Sequence, residues 1–107
     1  MHNRLTETLP LLQALASPQR VQIMAWLLDP TAHFPPQRDG DLVADGVCVG
    51  FITEKTGLSQ PTVSTYMQML ERAGLVRSKR IKNWVFYKAR LETLAELGAQ
   101  FQAAAKP

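Results

Sequence analysis

The most informative stretch of the sequence covers residues 49–73 and reads VGFITEKTGLSQPTVSTYMQMLERA. Apolar residues recur at helical spacing on both sides of Gly57, and glycine readily adopts the left-handed conformation that ends a helix. Ser59 then offers a hydroxyl that caps a second helix. Two helices joined by a short glycine turn form a helix-turn-helix, which we predict over about residues 49–73.

The first helix of this motif, residues 49–56, turns Val49 and Ile52 inward. The second helix, which runs to about residue 73, is amphipathic. Its predicted inward face consists of Val63, Tyr66, Met67 and Leu70. Its opposite face carries hydroxyl and amide side chains.

The pattern then changes from helical to strand-like. Residues 75–81 and 84–88 are rich in β-branched, aromatic and basic side chains. Lys82-Asn83 lies between them as a two-residue turn, in which asparagine tolerates a positive φ. We predict a β-hairpin, or wing, over about residues 75–88, with Trp84 and Phe86 as packing residues.

Three more helices are predicted outside the motif. Leucines at helical spacing predict one over about residues 3–16, weakened at Pro10, and Ser17-Pro18 begins another that stops at Asp29-Pro30. The last helix, about residues 90–104, has a narrow apolar stripe that suits a helix–helix seam. The predicted fold is therefore mainly α, with about five helices and a two-stranded wing.

Residues 29–46 form a long connection of irregular composition, with three prolines and two glycines. Phe34, Leu42 and Val43 favour a loop packed on the surface over complete disorder. Between Asp29 and Glu54 there are five acidic residues against one basic residue. Seven basic residues and no acidic one follow between Arg72 and Arg90, and such a local cluster indicates a polyanionic partner or a solvated basic face.

The composition excludes several classes of protein. At 107 residues and 46% hydrophobic content we expect one domain spanning residues 1–107. No apolar run approaches the roughly 18 residues that cross a bilayer, and the first residues lack the apolar core of a signal peptide. We therefore expect a cytoplasmic protein that does not bind membranes, and a single cysteine agrees with a reducing compartment. No nucleophile elbow, phosphate-binding glycine loop or two-histidine metal motif is present, so no enzyme is predicted.

The order of elements and several short motifs resemble the ArsR/SmtB family of winged-helix transcriptional repressors. The matching segments are LASPQR at residues 15–20, GLSQPTVS at 57–64 and AGLV at 73–76, and Phe86-Tyr87 resembles the family's second wing strand. The resemblance covers about residues 11–90. It implies a homodimer joined through the first and last helices, a recognition helix in the DNA major groove, and release of DNA by an effector. The residues predicted for the dimer interface are Leu5, Leu9, Leu12, Leu94, Leu97 and Phe101.

Two sets of residues are predicted to contact double-stranded DNA. On the recognition helix they are Ser59, Gln60, Thr62, Ser64, Thr65 and Gln68, because hydroxyls suit phosphate oxygens and base edges and a glutamine amide can bond adenine. In the wing they are Arg77, Lys79, Arg80 and Lys82, as cations that release condensed counterions. Thr65 lies where many relatives carry a basic residue, which shifts weight to phosphate contacts. The alternatives are an ordinary polar helix face and a solvated edge hairpin.

Metal sensors of this family often use a Cys-Val-Cys motif at the start of the third helix, whereas this chain has Cys48-Val49-Gly50. The last helix holds Glu92 and Glu96 but no histidine. A soft-metal site needs several thiolate or imidazole ligands around one ion, so neither a metal nor a cofactor is predicted.

Two residues are candidates for an effector site. Cys48, near a helix N-terminus, is predicted either to be a redox or electrophile sensor or to be a small buried apolar residue. His33 either joins an effector pocket with Asp39 or Asp41 or is an ordinary surface histidine.

The function these observations predict is a homodimeric, sequence-specific DNA-binding repressor with a palindromic operator and an unidentified effector. One alternative is an interaction module that binds a protein or RNA partner through the wing. Another is a repressor without a ligand or redox sensor.

Overall fold

The computed structural model describes residues 4–106, in which a 3₁₀ helix, Arg4–Thr8, is followed by six α-helices and three strands. These elements are α1 Leu9–Leu15, α2 Pro18–Leu28, α3 Pro30–His33, β1 Val47–Cys48, α4 Val49–Thr56, α5 Gln60–Arg72, β2 Val76–Ile81, β3 Trp84–Ala89 and α6 Leu91–Ala104. The predicted winged helix-turn-helix is confirmed, and α4 and α5 are its two helices.

The first predicted helix divides into two parts. The 3₁₀ segment ends at Thr8, and α1 begins at Leu9 with Pro10 in its first turn. Proline lacks the amide hydrogen that would continue the hydrogen bonds of the preceding helix, so the change of helix type lies beside it. The predicted start at Asn3 lies outside the described residues.

Two short elements were not predicted. Residues 30–33 form α3, a single helical turn within the connection predicted to be irregular. Residues 47–48 form β1, which pairs antiparallel with β3, so the sheet has three strands in the order β1-β3-β2 instead of two. Val47, which is fully buried, pairs with Tyr87 in this sheet.

The core lies where α2, α4 and α5 meet the sheet. Val63, Met67 and Leu70 on α5 are fully buried, as the spacing predicted, and Ile52 on α4 is buried with them. Gly57 has φ +72°, the left-handed conformation expected at the end of α4. This turn fixes α5 against α4 and leaves the polar face of α5 exposed.

The wing is an antiparallel hairpin in which Ile81 pairs with Trp84 across the turn. The positive φ of this turn, +55°, is at Lys82, and no other non-glycine residue among those described has one. The expectation that Asn83 takes the positive φ was therefore wrong. A left-handed φ at the first turn residue matches the right-handed twist of the flanking strands.

A buried arginine connects the N-terminal helices to α5. The guanidinium of Arg20 donates through Nε to the carbonyl oxygen of Ala14 at 2.6 Å and through a terminal nitrogen to that of Gln13 at 3.3 Å. Its central carbon lies 5.3 Å from the ring centroid of Tyr66, a cation–π distance. The charge is thus satisfied by carbonyl groups at the end of α1 and by an aromatic ring of α5.

Candidate nucleic-acid interface

The N-terminus of α5 is formed by a serine cap. Ser59 Oγ accepts from the backbone N–H of Thr62 at 3.3 Å and lies 2.9 Å from the Thr62 hydroxyl. Both side chains therefore already take part in the local cap, which sets the direction in which the helix starts. Ser59 is exposed and Thr62 is half-buried, so phosphate oxygens have access to this end of the helix.

The exposed face of α5 offers two free amides. Gln60 and Gln68 are exposed, and neither amide makes a hydrogen bond within the described part of the chain. Thr65, on the same face, donates its hydroxyl to the carbonyl oxygen of Pro61 at 3.0 Å, which leaves its methyl group as the outward contact. Amides that bond adenine and a methyl that touches thymine are typical of base readout in the major groove. Ser64, on the same face, is half-buried.

The four predicted wing cations are all exposed, but they divide into two pairs. Within residues 4–106 neither Arg77 nor Arg80 has a carboxylate at ion-pair distance. The Nε of Arg80 donates to the carbonyl oxygen of Lys82 at 3.3 Å, a contact beside the turn. These two guanidinium groups keep their charge available for phosphate.

The other two wing cations are paired with residues of the preceding connection. Lys79 Nζ lies 2.6 Å from Asp45 Oδ1, and Lys82 Nζ lies 3.0 Å from Asp39 Oδ1. We call residues 39–45, which also include Asp41, the acidic loop. The hydrogen bond from Lys79 is the main cause that lowers the pKa of the Asp45 carboxyl, and a bond from the Asp41 N–H adds to it. Asp45 is therefore ionised at neutral pH.

The helix-turn-helix and the wing are joined by Glu71. Its Oε2 accepts from the hydroxyl of Ser78 at 2.6 Å and from the backbone N–H of the same residue at 3.2 Å. The last turn of α5 is thereby tied to the middle of β2. Beside this link, burial and then the Glu71 charge raise the pKa of Tyr87, which keeps its phenol neutral.

The predicted packing of the aromatic residues is confirmed for Phe86 but not for Trp84. Phe86 is buried, as predicted for a packing residue, and Tyr66 is half-buried under Arg20. Trp84 was expected to pack as well, but it is 51% exposed, so that expectation was wrong. Trp84 directly follows the turn of the hairpin, at the end of the sheet.

Cys48 is half-buried rather than fully buried, so the description as a small buried apolar residue is only partly right. It directly precedes α4, and its backbone N–H donates to Gln37 Oε1 at 2.7 Å. With Phe51, Trp84 and Phe86 it lines an open cavity of about 340 Å³. Gln37, Arg38, Asp39, Gly50 and Glu54 complete the lining.

His33 does not join Asp39 or Asp41. It is exposed at the end of α3 beside Glu54 and Lys55, whereas Asp39 is paired with Lys82 and the Asp41 carboxylate accepts from the backbone of its own loop. Among the described residues no three His, Cys, Asp or Glu side chains lie close enough to hold a metal ion. In the same part of the chain no helix has the length and apolar character needed to span a membrane.

The terminal helices carry exposed apolar side chains. Leu9 is 52% exposed, Leu12 40% and Phe101 45%, and no residue of α6 is buried. Leu5, Leu94 and Leu97 are half-buried, and Leu94 packs against the core. An apolar surface of this kind is typical of a site that another protein surface covers.

Sequence reasoning missed the partners of several of these residues. The sequence offers Asp39 only as a neighbour of His33, and no motif marks Asp45 or Glu71. The charge asymmetry between residues 29–54 and 72–90 was the available signal for the acidic loop, since opposite charges in one small domain tend to meet. Nothing in the sequence pairs Glu71 with Ser78 specifically.

The geometry agrees with three comparisons with known proteins. A family model described as "Bacterial regulatory protein, arsR family" matches residues 46–78, which include β1, α4, α5 and the first half of β2. An uncharacterized HTH-type transcriptional regulator of Bacillus subtilis (strain 168), YbzH, is 38% identical over 91 residues, which are 85% of this chain and 91% of that protein.

Solved structures share the fold over nearly the whole chain. HlyU from Vibrio cholerae N16961 is 25% identical with a TM-score of 0.66, and the match covers 99% of this chain and 100% of that one. Mb0332 from Mycobacterium bovis, described as a homodimeric winged helix-turn-helix DNA-binding domain, is 26% identical with a TM-score of 0.64. That match covers 92% of this chain and 78% of the other.

Proposed function

The chain belongs to the ArsR family of bacterial regulatory proteins, and we propose that it acts as a homodimeric repressor that binds a palindromic operator and leaves it when an effector binds. As a member of this family the protein is a DNA-binding transcriptional regulator, not an enzyme. The identity of its DNA-reading residues, the dimer and the effector are the parts that we propose.

The observation that carries the proposal is the exposed face of α5. Gln60 and Gln68 present free amides there, and the Glu71–Ser78 hydrogen bonds tie the same helix to a basic hairpin. A helix in the major groove contacts base edges, which determine sequence specificity. A cationic wing contacts phosphates of the neighbouring DNA backbone, which contribute affinity. We assign the first role to α5 and the second to Arg77 and Arg80.

The proposed dimer is supported by the exposed leucines and Phe101 of the terminal helices. These side chains expose apolar area that a second copy would remove from water, at roughly 25 cal/mol per Å² buried. The similar structure of Mb0332 is described as homodimeric. A two-fold dimer places its two recognition helices about one helical turn of DNA apart, which requires a palindromic operator.

The test is fluorescence anisotropy of the purified protein with the duplex directly upstream of its own gene and with a shuffled duplex, at two salt concentrations. We expect tighter binding to the native duplex, together with a dimer in analytical ultracentrifugation. Equal, salt-sensitive binding to both duplexes would reduce the protein to a non-specific DNA binder. Absence of binding to either would favour the module that binds a protein or RNA partner.

Release by an effector is proposed at the cavity that Cys48 lines. The cavity lies between α4 and the wing strand β3, so a molecule bound there, or a modified thiol, would press on the wing. The same anisotropy assay with the thiol reduced and oxidised tests this step. Loss of binding on oxidation that is absent in Cys48→Ser would assign the sensor to Cys48, and unchanged binding would favour a repressor without a redox sensor.

A further inference from the structure

Two of the four wing cations are already neutralised inside the protein. Asp45 and Lys79 are 34 positions apart in the sequence, and their side chains meet at 2.6 Å. Asp39 and Lys82 are 43 positions apart and meet at 3.0 Å. The acidic loop thus brings two carboxylates to the hairpin that is proposed to meet DNA phosphates.

The acidic loop is held in place by hydrogen bonds within it and by Gln37, which bridges to the residues that follow it. Gln37 Nε2 donates to the carbonyl oxygen of Gly46 at 3.0 Å, and Gln37 Oε1 accepts from the Cys48 N–H. Asp41 Oδ2 accepts from two backbone N–H groups of the loop, and Asp45 Oδ2 accepts from the Asp41 N–H at 2.7 Å. The Asp45 carboxylate is therefore preorganised for Lys79. Gly40, which follows Asp39, accepts a further bond from Gln37 Nε2 at 3.4 Å.

The two members of each ion pair differ in how far their side chains are exposed to solvent. The carboxylate side chains are 19% exposed at Asp45 and 24% at Asp39, whereas the lysines are 57% and 72% exposed. The carboxylates are thus the fixed, sheltered partners and the ammonium groups are the accessible ones. An approaching phosphate would compete directly with a carboxylate of the same protein for each ammonium group.

We infer that Asp39 and Asp45 limit the sequence-independent affinity of this protein for DNA by competing with phosphate for Lys79 and Lys82. This inference rests on the proposed function. A lysine adds to DNA affinity by neutralising a phosphate and releasing condensed counterions, with a salt slope of about −0.9 for each phosphate. A lysine held by a carboxylate contributes this only when its internal ion pair breaks. Because the acidic loop weakens the phosphate contacts of the wing, contacts between α5 and the bases make up a larger part of the affinity for DNA.

The test measures binding of the full chain to a random-sequence duplex between 50 and 300 mM salt, a range of about sixfold that resolves the slope. We expect Asp39→Asn and Asp45→Asn each to tighten binding about three- to tenfold at the low end and to steepen the salt slope by up to about 0.9. Binding to the upstream duplex should tighten by the same factor, so that the preference between the two duplexes stays the same.

Asp41→Asn is the matched control, because it removes the same charge from the same loop without a wing partner. Its remaining side-chain oxygen can still accept from the loop backbone, so the turn is preserved. We expect it to change affinity by less than about twofold. A thermodynamic cycle gives a second control: Asp45→Asn should have no effect in a Lys79→Gln background, and Asp39→Asn none in a Lys82→Gln background.

The outcomes separate the inference from the proposed function. Equal effects of all three Asp→Asn variants, or effects that persist without the lysines, would reduce the loop to a general contribution of net charge and overturn the inference. Tighter binding to one duplex only would overturn it as well. If the wild type binds neither duplex, the proposed function fails. Amine labelling of Lys79 and Lys82 in the free protein then still shows whether the ion pairs with Asp45 and Asp39 slow the reaction of these amines.

Discussion

Helix α5 and the wing differ in how much of their polar chemistry is already used inside the protein. On α5, Gln60 and Gln68 keep free amides, and among the residues predicted to contact DNA the cap and Thr65 make hydrogen bonds within the helix. In the wing, two of the four predicted cations are held by the acidic loop. The exposed amides of α5 need no partner within the protein, because water forms their hydrogen bonds. The wing lysines lie within reach of carboxylates and form ion pairs with them. The charge that a wing presents therefore depends on the rest of the fold.

The largest expected effect is a loss of unfolding free energy in Gly46→Ala, which should push the acidic loop away from the wing. Gly46 has φ +104°, and an added Cβ would lie 2.3 Å from the carbonyl oxygen of Tyr87 on β3. Left-handed backbone and a clash with main-chain atoms together cost about 3 kcal/mol or more. Urea unfolding, monitored by circular dichroism at one fixed protein concentration, should show this loss.

Gly50→Ala is the control, since its added methyl would make only an ordinary contact 3.8 Å from Cys48 Sγ. Alanine within α4 should leave stability unchanged or raise it by about 0.5–1 kcal/mol. Equal stability of Gly46→Ala and the wild type would show that the loop does not need its close approach to β3. The pairing of Asp45 with Lys79 would then lack its structural support.

The next effect is on sequence preference and concerns α5 alone. Gln60→Ala and Gln68→Ala should each reduce the preference for the operator over random DNA by about 1 kcal/mol or more, at least about fivefold, because a bidentate amide–adenine contact is lost. Competition anisotropy measures both affinities. Gln22→Ala, an exposed glutamine of α2, should leave the preference unchanged. A fall in affinity for both duplexes without a change in preference would mean that these amides bind the DNA backbone.

A smaller effect, without any change in preference, is expected from the wing. Arg80→Gln should weaken binding to all duplexes about three- to tenfold at 50 mM salt and reduce the salt slope by about 0.9, because one phosphate contact is lost. Lys106→Gln removes the same charge from the exposed end of the chain and should change binding by less than about twofold. A change in sequence preference in Arg80→Gln would contradict the division of labour between α5 and the wing.

The same comparison shows how far the sequence could predict the site. The cap at Ser59, the turn at Gly57 and the buried face of α5 depend on residues within a few positions of one another, so their patterns were readable. The wing strands were readable for the same reason. The ion pairs of the acidic loop join residues 34 and 43 positions apart, and which lysine meets which aspartate follows from the folded chain alone.

Strand β1 and the exposure of Trp84 also differ from the prediction because they depend on contacts between distant parts of the chain. Strand β1 contains two residues, too few for an alternating pattern, and it exists because Val47 pairs with Tyr87 on a strand far along the chain. Trp84 was expected to pack together with Phe86, which lies on the same strand face, yet Trp84 lies beside the turn and is half exposed. Local chemistry thus predicted the elements, and tertiary contacts determined which of their polar and aromatic groups remain available.

The smallest expected effect concerns the link between the two regions, the hydrogen bonds from Ser78 to Glu71. Both residues are exposed, so Glu71→Ala and Ser78→Ala should each cost about 1 kcal/mol or less of unfolding free energy, with a coupling of about 0.5 kcal/mol in the double variant. The informative readout is the DNA preference of Glu71→Ala, which removes the acceptor of both hydrogen bonds. If this link sets the angle between wing and helix, affinity for the operator should fall more than affinity for random DNA, because only the operator complex requires both elements in register. Equal losses on both duplexes would show that the wing and α5 act independently.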